Sequence, residues 1–556
     1  MNYSNNAFYE NLYLLKDNFS LPVLLAVFLL TFLPAPIRAY ESRPPTFEPL
    51  ETLVDLHVGE SAEIALTDGT LVELTLLEIS DERDTTPQNA VRRASATVVV
   101  NGERVTIDSG NYHLPVEAGG IQIDIPVIAV YYYVSGSDDS NPAGGRFDSK
   151  TTGGSDDHNK TLYDIRKMDD GSSDRDRWKL EKDARLRLWP ADSPLIEPGT
   201  FVYPVRQRFF SSETQGTNVP TFVDGGDRPD RSSVYYHEGF DIGGYEGKTD
   251  IVAATDGVIV SIGDQQLDAE KHPPVRPRYD VLYILDDRGW YYRYSHLKSF
   301  ETRLQLGERV TMGEKLGDIG KEGGSGGWAH LHFDIHMPVP SGEFGLVCPY
   351  AYLWETYLRD YNPNVIAVAR PHHLVYTGES VELDGTRSWV PDGHMDYEWR
   401  LTDGTTVASP KFRTSYHEPG SYSEILKVTD GQGNLDYDFA AVQVLDPDDE
   451  ELIPPTLHAA YHPTFNIRAG DPVYFAVRAF RLDPSEGQEA WDFGDGSPVV
   501  ITHSQPGDRH KPDGYAETVH RFTEPGNYIV TVQRTSNQGL KATARLFVEV
   551  GPDQLP

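Results

Sequence analysis

The chain has 556 residues, a formal net charge of −36 at pH 7 and one cysteine, Cys348. The length exceeds a single hydrophobic core and implies about three to five domains, while the acidic balance argues against nucleic acid as a partner and disfavours an anionic membrane surface. One cysteine supplies neither an internal disulfide nor a cysteine zinc cage, so any metal must rest on His, Asp or Glu.

The N-terminal stretch "LPVLLAVFLLTFLPAPIRA" has an apolar run from Leu21 to Leu33, then prolines and the small residue Ala39. That run is short for a spanning helix and suits a signal peptide over 1–39, cleaved near Ala39. The residues before it are numerous and Lys16 is offset by Asp17, so an uncleaved anchor is the alternative. The remainder is expected to be secreted or periplasmic, with no stable membrane insertion after cleavage.

Residues 45–134 alternate in the strand period, as in "SAEIALTDGTLVELTLLEI" and "ASATVVVNGERVTID", with Asp-Gly and Asn-Gly breaks that signal hairpins. This predicts a small β domain with no evident chemistry. Residues 135–180 are rich in Gly, Ser and Asp and read as an acidic flexible linker. Strand patterns resume over 181–360 and give way to helical periodicity only at "PYAYLWETYLRDY". The fold class predicted for the whole is all-β and multidomain.

Two further β modules follow, over 362–447 and 455–550. The first carries "YEWRLTDGT" and "HEPGSYSEILKVTDGQG", the second "AWDFGDGS" and "FTEPGNYIVTVQRTSNQG". The repeated pattern suggests Ig-like sandwiches and resembles polycystic-kidney-disease (PKD) domains. That resemblance implies a spacer or a binder of polymer surfaces, so removing 362–556 is expected to leave turnover of a small peptide intact. Asp492 and Asp495 could bind Ca²⁺ or could simply close turns.

Three stretches carry chemistry. In "HLHFDIH" a strand would place Leu331, Phe333, Ile335 and Met337 on one face and His330, His332, Asp334 and His336 on the other, toward a cleft or solvent. In "YYHEGFDIGG", His237 and Asp241 share a face but lie about 13 Å apart on a straight strand. One ion is reached by both only if the chain bends, and Gly239 offers that freedom. In "YYRYSHLKS", His296 ends a strand with Tyr294 on the same face. Two imidazoles and a carboxylate make a zinc site with one position left for water, which suits hydrolysis.

The order H-x-x-x-D, Y-x-H-L, H-L-H-F-D on a β background resembles the lysostaphin/LytM-like zinc endopeptidases, over about 200–350. Carried over by position, the resemblance implies that His237, Asp241 and His332 ligate one Zn²⁺ per chain. It implies that His330 is general base or acid on the attacking water, and that His296 hydrogen-bonds the water or the oxyanion. The implied activity is an exported zinc metalloendopeptidase acting on bacterial cell-wall peptidoglycan. A fibrous protein such as elastin or collagen is the alternative polymeric peptide substrate. A non-catalytic wall-binding activator of other hydrolases would lack a ligand or a histidine, and none is lacking.

The chain departs from the family at Trp328 and Ala329, which precede the first histidine of H-L-H, and in an insertion over 264–278. His336 matches no functional position and reads as a polar strand residue. The "GGSGG" around Ser325 fits a serine nucleophile elbow but lacks the strand before it and the helix after it.

Overall fold

The computed structural model describes residues 47–85, 90–131, 177–219, 236–449, 452–505 and 514–552. The expected leader, 1–39, and nearly all of the acidic linker lie outside them. The described chain is mostly strand, in several sheets, as the alternating patterns require. Among these residues no helix is long and apolar enough to cross a membrane.

In the N-terminal region the strands Ser61–Ala65, Leu71–Arg83, Val91–Val100 and Glu103–Asp108 pair in order as an antiparallel meander. Asn101 and Gly102 turn one hairpin with φ of 48° and 86°, the two positive values that a tight Asn-Gly turn demands. A second sheet has the order Thr52–Leu56, Ala184–Pro190, Ile121–Ile128, Val116–Ala118. The strand Ala184–Pro190 falls within the expected peptidase segment yet pairs with N-terminal strands on both sides. Its alternate residues explain this. Leu186 and Leu188 join the core, while Arg185 forks onto Asp55 at 2.8 Å through two nitrogens and Arg187 onto Asp124. Both guanidiniums are fully buried, and removing either carboxylate would strand a buried cation. The position 181 is thus not a break in the sheet, and one continuous apolar core runs from Leu56 to Val368.

The central region is built on a sheet whose strand order is Gly257–Ile262, Leu282–Asp286, Tyr291–Ser295, His330–Pro338, Phe240–Gly243, Thr214–Gln215. A smaller sheet, Asp250–Val252, Lys315–Ile319 and Leu297–Phe300, accompanies it. The helix Tyr350–Tyr361 buries Tyr350, Leu353, Trp354 and Tyr357 at helical spacing. It stops at Asn362, whose left-handed φ of 43° lets its N–H bond Leu358 O.

The two C-terminal modules each pack around a buried tryptophan, Trp399 in the first and Trp491 in the second. Their main sheets join edge to edge where Ser421 pairs with Ala542. The second module contributes another sheet, of Thr456–His462, Val473–Phe480 and Ala516–His520.

Candidate metal centre

The strand His330–Pro338 lies between Phe240–Gly243 and Tyr291–Ser295, antiparallel to both. Its register sets Asp241 opposite His332 on one side and Ser295 opposite His332 on the other. The backbone bends just before Phe240: Gly239 has φ of +69°. A Cβ there would fall 2.1 Å from Asp334 Oδ1 and 2.6 Å from Phe333 O, so only glycine fits. The bend shortens the straight-strand separation until His237 Nε2 stands 3.1 Å from Asp241 Oδ1.

Three donor atoms therefore converge. His332 Nδ1 is 2.8 Å from Asp241 Oδ1 and 3.0 Å from His237 Nε2. Among the described residues this is the one His/Cys/Asp/Glu group with metal-type spacing. Ligands about 2.0–2.1 Å from a tetrahedral zinc stand about 3.3 Å from each other, so the three atoms need open by only a few tenths of an ångström. All three residues are at least 93% buried, their exposures being 3%, 3% and 7%. Burial pushes the Asp241 carboxyl up, but the imidazoles of His237, His330 and His332 overcome it and hold the group well below the usual range. A buried carboxylate and two facing ring nitrogens could hold a cation between them, and the donor set suits zinc.

Asp334 settles which nitrogen of His332 faces the centre. Its Oδ1 lies 3.2 Å from His332 Nε2 and its Oδ2 accepts from Arg293 Nη1 at 3.0 Å. With Nε2 directed to a carboxylate, Nδ1 is the nitrogen turned toward Asp241 and His237. Burial lowers the His332 pKa, but Asp334 and Asp241 together raise it to about 9, so in the absence of a metal the ring holds a second proton at Nδ1, the position a metal would take. Asp334 carries no assignment in the sequence reading, although the H-x-H-x-D spacing on a strand puts it on the histidine face.

The other two histidines lie beside this group with ring centroids 4.7 Å apart. His330 Nδ1 is 3.1 Å from Trp328 O, and His330 Nε2 is 3.4 Å from Asp241 Oδ2. His296 Nδ1 is 2.6 Å from Glu322 O and 3.3 Å from Asp280 Oδ2. Each ring thus turns its Nδ1 to a backbone carbonyl, and Nε2 of His330 points toward Asp241. Burial lowers both pKa values and keeps the rings neutral; Asp280 pulls the other way on His296. Asp280 also accepts from the His296 backbone N–H at 3.0 Å and holds Arg278. His296 has a φ of +69°, a left-handed value uncommon outside glycine and a turn that swings its ring off the strand line. Sequence reasoning missed Asp280 and Arg278; Arg278 comes from the insertion over 264–278.

The expectation that the polar face of "HLHFDIH" meets a cleft or solvent is not met: His330 is 2% and Asp334 1% exposed. The apolar face is buried as expected. The cover comes from Trp328, two residues away, stacking on His330 at 3.9 Å, and from Tyr515, remote in sequence, which accepts the Ala329 N–H at 2.8 Å. His336 lies outside the three-atom group, 4.0 Å from Asp334 Oδ2 and opposite Tyr291, with burial lowering its pKa to about 3. Ser325 Oγ donates to Lys321 O at 2.5 Å and accepts from Gly327 N at 3.1 Å, which braces a loop rather than presenting a nucleophile. Asp492 and Asp495 each accept a backbone N–H two residues on, and Asp495 also faces His520 Nε2 at 2.7 Å. They close turns and join no metal-type group among the described residues, so nothing supports Ca²⁺ there.

The profile of peptidase family M23 matches residues 235–341, which contain the whole centre. PKD domain profiles match 362–444 and 458–550. Collagenase ColA of Clostridium perfringens (strain 13 / Type A) is 27% identical over 154 residues, 26% of this chain and 14% of that protein. The chain therefore spans a small part of that relative's length. Among solved structures, Helicobacter pylori Csd3 covers 54% of this chain and 82% of its own at 11% identity and a TM-score of 0.19. The fibronectin(III)-like modules of Clostridium thermocellum CbhA cover 34% and 96% at 14% identity and a TM-score of 0.15. Scores this low carry no argument about function. The family profiles do: the chain carries a peptidase family M23 domain followed by two PKD domains.

Proposed function

We propose that the chain is an exported zinc metalloendopeptidase that cleaves peptide bonds of bacterial cell-wall peptidoglycan. The observation that carries this reading is the convergence of His237 Nε2, Asp241 Oδ1 and His332 Nδ1 beside two further imidazoles, His330 and His296, each anchored to a carbonyl through Nδ1. When bound by these three residues, zinc supplies a Lewis acid that polarises the scissile carbonyl and makes water a nucleophile near neutral pH. Two neutral imidazoles and one carboxylate leave the loaded site net positive, which favours an oxyanion.

The remaining work falls to this chain's own side chains. His330, with Nδ1–H engaged by Trp328 O, offers Nε2 to take a proton from the attacking water and pass it to the leaving amine. His296 donates from Nε2 only when doubly protonated, a state that the Asp280 carboxylate beside its Nδ1 favours against the burial that lowers its pKa. It is placed to hydrogen-bond the developing oxyanion. Asp334 keeps His332 in the tautomer that binds metal.

A second reading, cleavage of a fibrous protein such as elastin or collagen, is favoured by the 27% identity to a protein named as a collagenase. The activator reading is disfavoured because all five residues are present and assembled. The deciding experiment incubates the whole chain with peptidoglycan, elastin and collagen and counts newly released amino groups. Release from peptidoglycan alone supports the proposal; release from collagen or elastin alone replaces it with the second reading.

A further inference from the structure

Glycine occupies positions 320, 323, 324, 326 and 327 of the loop that leads into His330. Three of these, Gly323, Gly326 and Gly327, take positive φ of 62°, 68° and 88°. Such a loop has much conformational entropy to lose, so its order must come from specific contacts. Yet both His296 and His330 are oriented by it: His296 through Glu322 O and His330 through Trp328 O and the stacked indole, 3.9 Å and 22° away. Whatever fixes the loop fixes both rings.

Part of the bracing is local, from Ser325 and from Tyr279, whose hydroxyl accepts Gly323 N–H at 2.7 Å. The rest comes from the second C-terminal module. Arg478 Nη1 donates to Gly327 O at 2.7 Å, and Ala329 N–H donates to Tyr515 Oη at 2.8 Å. The His458 ring meets the Trp328 ring edge-on at 5.2 Å. Arg478 and His458 are fully buried. Tyr515 Oη is also 2.6 Å from His458 Nδ1, His458 Nε2 is 3.1 Å from Ser212 Oγ, and Ser212 Oγ donates to Ala459 O at 2.7 Å. Because the Ser212 hydroxyl hydrogen goes to Ala459 O, Ser212 accepts from His458 Nε2–H; the buried neutral ring then accepts at Nδ1 from the Tyr515 hydroxyl, which keeps a lone pair for Ala329 N–H. The chain of donors has one consistent direction and no member is left over, the condition under which a buried network rigidifies what it touches.

We propose that the second PKD module is part of the peptidase site: Arg478, Tyr515 and His458 are positioning residues that hold the glycine loop and, through Trp328 and Glu322, the rings of His330 and His296. This rests on the peptidase reading above. It departs from the expectation that the modules are spacers whose removal leaves small-peptide turnover intact.

The test uses the whole chain as wild type, Tyr515→Phe, Arg478→Met and Arg478→Lys. Three quantities are read: amide hydrogen exchange over residues 321–331, zinc per chain, and kcat and KM on one defined soluble peptide. Tyr515→Phe keeps the ring and removes only the hydroxyl, which is both the acceptor of Ala329 N–H and the donor to His458 Nδ1, so folding is spared. The expected result is faster exchange in Tyr515→Phe and Arg478→Met with zinc and KM near wild type. Turnover, kcat, should fall on the order of 10- to 10²-fold, the scale of a small misplacement of catalytic groups. Arg478→Lys, which can still reach the Gly327 carbonyl, should recover part of both. Unchanged exchange overturns the anchoring, and faster exchange with unchanged kcat overturns the positioning. Parallel loss of zinc and activity also overturns it, since the module would then support the metal ligands instead. A zinc-loaded wild type that cleaves no peptide contradicts the peptidase reading, and the exchange comparison by itself then decides whether the module anchors the loop.

Discussion

Asp241 and His332 stand directly opposite each other on paired antiparallel strands, and Asp241 Oδ1 lies 2.8 Å from His332 Nδ1. A cross-strand pair is fixed by the ladder itself, so two of the three donor atoms are set by backbone hydrogen bonds rather than by loop geometry. The third, from His237, reaches them only through the turn at Gly239.

That turn makes Gly239→Ala a stringent variant. A left-handed backbone costs a non-glycine residue roughly 1–2 kcal/mol, and the added methyl would collide with Asp334 Oδ1 and Phe333 O. The expected outcome is a lower melting temperature together with zinc well below one equivalent per chain. Full zinc in a well-folded Gly239→Ala protein would show that the bend is not needed.

Ligand variants should separate by position. His237→Ala, Asp241→Ala and His332→Ala should each lose zinc, because a three-residue site tolerates no ligand loss. His336→Ala should keep it, since His336 faces Asp334 and Tyr291 and not the three-atom group. Elemental analysis of the purified variants checks both halves.

Asp334→Ala should weaken zinc without removing a ligand. Losing the partner of His332 Nε2 frees the ring to rotate or change tautomer, which typically costs about 10- to 100-fold in metal affinity. Competition with a chelator of known affinity measures it, and an unchanged constant would leave Asp334 with no orienting role.

His330→Ala should lose about 10²- to 10⁴-fold in kcat/KM while keeping zinc. His296→Ala should lose about 10²- to 10³-fold. The double variant should fall short of the product of the two, because both rings act on one transition state. Zinc loss in His330→Ala would instead make it a ligand.

Part of the centre is legible in the sequence because Asp241 and His332 sit on strands, and a period of two places His332 on one face with His330 and Asp334 without any structure. The need for a bend between His237 and Asp241 was legible too, from distance alone and from the glycine between them. What the sequence concealed depends on long-range docking. Tyr515 covers Ala329 from 186 positions downstream, and no local pattern marks a tyrosine for that task. The sequence does not mark Asp280 and Asp334, because a carboxylate near a strand histidine is common and only the partner it meets in the fold distinguishes it. The strand Ala184–Pro190 was assigned by its position in the chain, whereas its two buried arginines belong with Asp55 and Asp124. The all-β class needed none of this, since alternation is local.

The most direct test of the account is the release of amino groups from purified peptidoglycan by the whole chain, followed through removal and return of zinc. The account predicts release by the loaded wild type, its abolition by a chelator, its recovery on adding zinc, and none from His332→Ala under any condition. Release that persists in chelator, or that survives in His332→Ala, would contradict the assignment of His237, Asp241 and His332 to a catalytic zinc.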